Sequence, residues 1–244
     1  MQQSGIVYVD ELAVPGTSEK NINKSMVAAY LQKINDSATV IDRNLFVNLG
    51  IMKGDLMTLA GLLFFTQGPQ RYRPAFCVKA VSFFGNDIGG NDYRSSVDIT
   101  GTIPEMFDEG MAFFKTNLKY TQQGQNFNSV GRLEISSIAL EELLQNALVH
   151  RDYSRNAPIR LMIFDNRIEI VSPGCLPNHL TVENIKLGNA VVRNNLIVSY
   201  ASKLMHYRGF GSGIRRAIEE QPDIEFENDA EGEQFTVRIK RVER

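Results

Sequence analysis

Cysteine and histidine are scarce in this chain of 244 residues, which has two of the first and three of the second. Cys77 and Cys175 fall at no ligand or redox spacing, and His179 and His206 belong to no partner motif. The sequence therefore supports no metal site built from these side chains. The two cysteines read as free thiols in a reducing compartment, so the expected location is cytoplasmic. Long apolar runs are missing as well. The longest in the middle of the chain, Leu59 to Phe65, is seven residues including Gly61, far too short for a membrane-spanning helix. The opening residues carry neither a basic stretch nor an apolar one, so no secretory signal is expected. No Walker A sequence occurs, which excludes a P-loop motor. Net charge is only −2, which excludes a globally basic nucleic-acid binder and leaves room for a local patch.

What is present is an ordinary globular composition, 43% hydrophobic and 22% charged, and a length that fits one large domain or two small ones. Charge is uneven along it. From His150 to Arg216 ten Lys and Arg face four Asp and Glu, an excess of six positive charges. From Ala217 to the end four face nine, an excess of five negative. Solvated faces of opposite bias explain this simply. The sharper alternative is that the basic stretch lines an anion site.

Apolar periodicity and turn chemistry predict an amphipathic helix over Met26–Ile34 and a buried helix over Asp55–Phe65. Ala75–Phe84 reads as a strand, Asn86–Asn91 as a turn, and Val97–Gly101 as a strand pairing back. Pro104–Leu118 opens with Pro and early acids, a helix-start signature. Gln122–Asn128 is a polar loop and Arg132–Ile135 a short strand. A helix capped by Ser136 or Ser137 runs over Ile138–His150. Ile159–Phe164 and Arg167–Val171 form a hairpin about Asp165-Asn166. Leu180–Tyr207 reads as a loop followed by helix. A glycine-rich loop, Gly209–Gly213, leads into a helix over Ile214–Gln221, and Glu225–Phe226 with Gln234–Arg241 close the chain as a hairpin. The fold class expected is α/β in the broad sense (α+β): layered helices and sheet, divided as a helical region 1–72 and a sheet domain 73–244.

Two features could carry chemistry. Glu142 and Asn146 stand four residues apart, hence on one helix face, among Leu143, Leu144, Ala147 and Leu148. A carboxylate there can take a proton from water, and an amide oxygen can ligate a hard cation such as Mg²⁺. The plainer reading is an exposed glutamate and a helix-end asparagine, although Asn is not favoured inside helices. The loop Gly209-Phe210-Gly211-Ser212-Gly213 directly precedes a helix, where glycines let the chain turn tightly and amide groups attract phosphate. Its plainer reading is a helix-to-helix turn. His150, Arg151, Asp152 and Tyr153 close the Glu142 helix. His and Arg suit a helix C-terminus, and the cluster can hold the following loop by ion pairs.

The order of these pieces resembles the Bergerat (GHKL-like) ATP-binding fold of gyrase-type ATPases and histidine kinases. NALVHRDYS at 146–154, IFDNRIEIVSPGCLP at 163–177 and RGFGSGI at 208–214 resemble the C-terminal region of prokaryotic transcriptional regulators and RecG-like ATP-dependent DNA helicases. LAGLLFFTQGPQRYRP at 59–74 extends the likeness over most of the chain. The resemblance implies ATP and Mg²⁺ as ligands and Glu142 as the water-activating base. It implies Asn146 as the Mg²⁺ ligand, Gly174 as the glycine that admits adenine, and Gly209, Gly211 and Gly213 as the phosphate-side loop. Ser172 stands where ATP-binding members carry Asp, a neutral acceptor in place of a charged one. His150, Arg151, Asp152 and Arg193 are further candidates. Family members carry an Alba/Schlafen-like DNA-binding domain ahead of this region, which implies DNA as a partner through that domain. A homodimer is a further expectation. The function implied is a regulatory module of a DNA-binding transcriptional regulator. Its rivals are an active Mg²⁺-dependent ATP hydrolase and a degenerate dimerisation or docking module, and nothing resembles a translocating motor. Glu142 and Asn146 are expected to face a concave site bordered by Gly174 and the glycine loop.

Overall fold

A computed structural model describes residues 8–35, 40–89, 92–121, 131–177, 180–205, 207 and 211–241. After two short 3-10 turns come helices α1 (Lys24–Lys33) and α2 (Arg43–Asn48), a hairpin of β1 (Met52–Lys53) and β2 (Leu56–Met57), and α3 (Leu59–Phe65). The sheet begins with β3 (Val78–Phe83) and β4 (Tyr93–Ile99), followed by α4 (Ile103–Asn117) and the small pair β5 (Tyr120–Thr121) and β6 (Arg132–Leu133). Helix α5 (Ser137–His150) then leads into β7 (Ile159–Ile163) and β8 (Arg167–Pro173). Helices α6 (Val182–Lys186), α7 (Asn195–Leu204) and α8 (Ser212–Glu220) precede β9 (Ile224–Asp229) and β10 (Gln234–Lys240). The mixture is the α+β class expected.

The main sheet has six strands in the order β4-β3-β7-β8-β10-β9. All neighbours are antiparallel except β3 and β7, whose parallel pairing requires the long crossover through α4 and α5. Strand alternation turns Val78, Ala80, Ile159, Leu161, Ile168, Ile170, Val237 and Ile239 toward the helices, and all of these are buried. The opposite face carries a small apolar cluster of Met162, Phe164 and Val171 with Phe83, and beside it charged residues. Glu169 pairs with Arg167 along β8, and the other pairs cross strands: Glu169 with Arg238, Arg238 with Glu227, Lys240 with Glu225.

One buried apolar cluster runs from Val14 to Ile239. Tyr200 of α7 joins its two ends. Its ring meets Tyr30, Phe64 and Phe65 edge-on at centroid distances of 5.0–5.5 Å, and its hydroxyl donates to the Leu49 carbonyl at 2.7 Å. Buried Asp10 accepts the backbone N–H of Ile197 at the start of the same helix.

The helix expected from Asp55 begins instead at Leu59. Thr58 accepts the Gly61 N–H at 2.9 Å and so fixes the N-cap, while Gly54, at φ +63°, turns the preceding hairpin. The strand expected from Val97 starts four residues earlier, at Tyr93, and ends at Ile99. The polar loop expected over Gln122–Asn128 lies outside the described residues. Among the described residues no helix is long and apolar enough to cross a membrane.

Candidate functional site

Between the inner face of the sheet and helices α5, α6 and α8 lies a cavity with about 1050 Å³ of empty space, its open mouth included. Its floor is Ile170, Ser172, Phe235 and Val237 of the central strands. One wall is the face of α5 carrying Glu142, Asn146 and His150. The rim includes Gly174, Cys175, Arg193, Tyr207 and Gly211 to Ile214.

The α5 wall follows from helical periodicity, since positions 142, 146 and 150 repeat every four residues. Glu142 is 7% exposed, and its carboxylate forms an ion pair with Arg216 of α8. Asn146 lines the cavity and donates from Nδ2 to the Glu142 carbonyl at 2.7 Å, which leaves its amide oxygen as an acceptor. His150 Nε2 lies 2.6 Å from the Tyr207 hydroxyl. Burial, helped by the positive charge of Arg193, pulls the imidazole down to about 4, so it is neutral at pH 7. Burial and the nearby Glu142 charge push the Tyr207 phenol up to about 12.

At the other end, buried Ser172 donates its hydroxyl to the Ala147 carbonyl at 3.3 Å. The proton is thereby committed and the lone pairs of Oγ remain for a donor. Gly174 sits at φ +95°, and a Cβ there would overlap that of Asp152 and lie 2.6 Å from Arg193 Nη1. Arg193 in turn donates to the Cys175 carbonyl at 2.6 Å. Glycine at 174 thus lets the strand end, the post-helix loop and this arginine converge.

The glycine loop closes the site. Gly209 lies outside the described residues. Gly211, at φ +70°, is the N-cap of α8 and packs its backbone against the carbonyl of Gly188. Having no side chain, it leaves the first N–H groups of α8 without a side-chain cap. A Cβ on Gly213 would collide with the Glu142 carboxylate. That glycine therefore permits the close approach of the α8 N-terminus to Glu142.

Two candidates stand apart from the cavity wall. Arg151, 2% exposed, donates to the carbonyls of Arg155 and Ala157 at 3.0 and 2.6 Å and stacks over Phe76 and Tyr153. Asp152 accepts Ser154 N and Oγ at 2.9 and 2.6 Å. Burial acts to raise its carboxyl, but the Ser154 hydrogen bonds and the charges of Arg193 and Arg155 outweigh that and hold it below the usual range. Both residues shape the loop after α5, and Asp152 reaches the cavity only through Arg193. Arg216 and Tyr207 were not legible as site residues. Arg216 had one available signal, since it stands three residues after Gly213 and so on the same helix face.

Charged residues on the cavity wall are Glu142, Arg193 and Arg216, an excess of one positive charge that suits an anionic ligand. No group of three or more His, Cys, Asp or Glu side chains suited to a metal ion occurs among the described residues. A cation here would depend on Asn146 and on the ligand's own oxygens, the usual manner of Mg²⁺ with phosphates.

Residues 156–239, about a third of the chain, match the family described as "Putative ATP-dependent DNA helicase recG C-terminal". The match is to an ATPase-like, helicase-associated region. It covers the hairpin with Ser172 and Gly174 and the glycine loop, and it starts beyond Glu142 and Asn146. The fold is similar to the crystal structure of the DIP2311 protein from Corynebacterium diphtheriae, with a TM-score of 0.73 at 18% identity. That likeness covers 98% of this chain and 49% of the other, so this chain spans about half the length of that protein. No curated protein matches the sequence.

Proposed function

We propose that the cavity is a divergent ATP site and that the chain is the nucleotide-binding regulatory module of a DNA-binding transcriptional regulator. The observation that carries this reading is the meeting of Glu142 and Asn146 with Ser172, Gly174, Gly211 and Gly213 around one cavity. Residues far apart in sequence line that cavity together. The adenine amino group would donate to Ser172 Oγ, whose proton is already committed to Ala147. The phosphates would take the uncapped N–H groups of α8 and the guanidinium of Arg216. Bound Mg²⁺ would supply charge neutralisation at those phosphates. Asn146 would hold it through the amide oxygen left over from its bond to the Glu142 carbonyl. Glu142 would accept a proton from the attacking water once its carboxylate is released from Arg216.

A second reading, an active Mg²⁺-dependent hydrolase, is favoured by a carboxylate standing at the phosphate end. The ion pair with Arg216 argues for slow turnover, because a carboxylate held by a guanidinium is a poor base. The test is phosphate release with thermal-shift binding for the wild type and three variants. Glu142→Gln should lower turnover about 10²–10⁴-fold while binding survives. Asn146→Ala should weaken the Mg²⁺-dependent part of binding. Ser172→Asp should strengthen ATP binding by restoring a charged acceptor. No nucleotide binding by any of them would reject the ATP site and leave the docking module. Turnover unchanged in Glu142→Gln would reject the role of that carboxylate.

A further inference from the structure

Arg216 is the site residue that the resemblance did not supply, and its surroundings are unusual. Its guanidinium grips the Glu142 carboxylate through one terminal nitrogen. Its Nε is buried and has no hydrogen-bond partner. A guanidinium offers five N–H donors in a planar fork suited to carboxylate or phosphate oxygens, so an orphaned Nε marks a place for another acceptor. Because Nε is itself buried, the guanidinium has to turn to meet such an acceptor in the cavity. Arg216 lines the cavity together with Gly213 and Ser212, at the α8 terminus whose N–H groups also seek an anion.

The pair also borders space on two sides. Glu142, Arg216 and Tyr207 border a second recess on the far side, with Ile138, Gln145 and Met205. The ion pair is thus a partition between two spaces, not a contact sealed in the core. Side-chain exposure is 31% for Arg216 and 10% for Glu142, so the arginine is the more exposed partner.

We propose that Arg216 reads the terminal phosphate of the nucleotide, exchanging its ion pair with Glu142 for that phosphate and so selecting nucleoside triphosphate over diphosphate. This rests on the ATP reading of the cavity. A diphosphate ends short of Arg216 and leaves the pair intact. A triphosphate supplies an oxygen acceptor for the guanidinium as it turns, and the Glu142 carboxylate loses its ion pair with Arg216 at the moment a water-activating base is needed. The ligand shifts the equilibrium between paired and released states because it interacts differently with the two. Arg216 is then a specificity and positioning residue acting on Glu142.

The test is calorimetry of Mg²⁺-ATP and Mg²⁺-ADP with the 244-residue chain and the variants Arg216→Gln, Arg216→Lys and Glu142→Gln. A charge-assisted hydrogen bond that only ATP can make should give the wild type a preference of about tenfold over ADP. Arg216→Gln should erase the preference by weakening ATP alone, with ADP affinity within about twofold of wild type. Arg216→Lys should keep most of it. Glu142→Gln should tighten ATP about tenfold and leave ADP unchanged, since no partner competes for the arginine. A merely structural arginine would weaken both nucleotides together and give no gain in Glu142→Gln. Equal affinities in the wild type, parallel losses in Arg216→Gln, or unchanged ATP affinity in Glu142→Gln would each overturn the proposal while the ATP site stands. Failure of the wild type to bind either nucleotide would overturn both. Should Arg216→Gln not fold, the Glu142→Gln arm decides.

Discussion

The imidazole of His150 is packed into the cavity wall against Tyr207 and faces the positive charge of Arg193. In the unfolded chain it takes a proton near pH 6.5, whereas in the folded protein it resists until about pH 4. Between those values the unfolded state binds more protons, so stability falls as the pH drops through that window. A loss on the order of 2 kcal/mol is expected between pH 7 and pH 4.5 from this residue. Urea unfolding at both pH values should show it, and His150→Gln should flatten the acid limb. An acid limb equally steep in that variant would contradict the burial argument. The same scale separates the residues that touch the cavity from those that only shape it. Arg151 and Asp152 follow His150 in sequence, yet their side-chain hydrogen bonds go to the loop that follows the helix. Nothing in a row of four polar residues says which of them faces inward.

At the scale of elements, the parts with strong local signals were legible. α4 starts at Ile103 with Thr102 and Glu105 in a reciprocal capping box, close to the start that Pro104 and the early acids indicated. The hairpin β7–β8 and the final strand β10 lie within two residues of their expected bounds. The two-residue strands β1 and β2 and the six-residue α2 were not legible, because so few residues show no periodicity and tertiary contacts decide them. In the site, the spacing of Glu142 and Asn146 could be read, whereas the Arg216 partner depends on how α8 docks on α5. The glycine loop and a remote cap predict different outcomes on substitution. Thr102→Ala removes a helix cap and should cost about 1 kcal/mol without changing nucleotide affinity. Gly211→Ala forces a side chain into the left-handed region against the Gly188 carbonyl and should cost about 1–3 kcal/mol. Because it also displaces the α8 terminus, nucleotide affinity should fall with stability. Denaturant titration and binding on the same samples compare the two, and a Gly211→Ala protein as stable as wild type would contradict the loop geometry.

At the scale of the molecule, the uneven charge along the chain largely persists after folding. Arg155 of the basic stretch pairs with Glu233 of the acidic one, whereas Arg167–Glu169, Arg238–Glu227 and Lys240–Glu225 each pair within a single stretch. An excess of six positive charges over 67 residues is nevertheless modest, in a chain of net charge −2. Binding of this chain to duplex DNA should therefore be weak, with a slope of log K against log salt of only about −2 to −3. Fluorescence anisotropy across a salt series measures that slope, and tight sequence-specific binding at physiological salt would overturn the expectation. The cavity between sheet and helices is the central claim, and calorimetric titration of Mg²⁺-ATP into the wild-type chain and into Gly213→Val tests it most directly. The added side chain would fill the space between α8 and the Glu142 carboxylate, at the phosphate end of the cavity. Saturable one-to-one binding is expected of the wild type, with its loss in a folded Gly213→Val protein. No heat of binding in the wild type, or equal binding by both proteins, would contradict it.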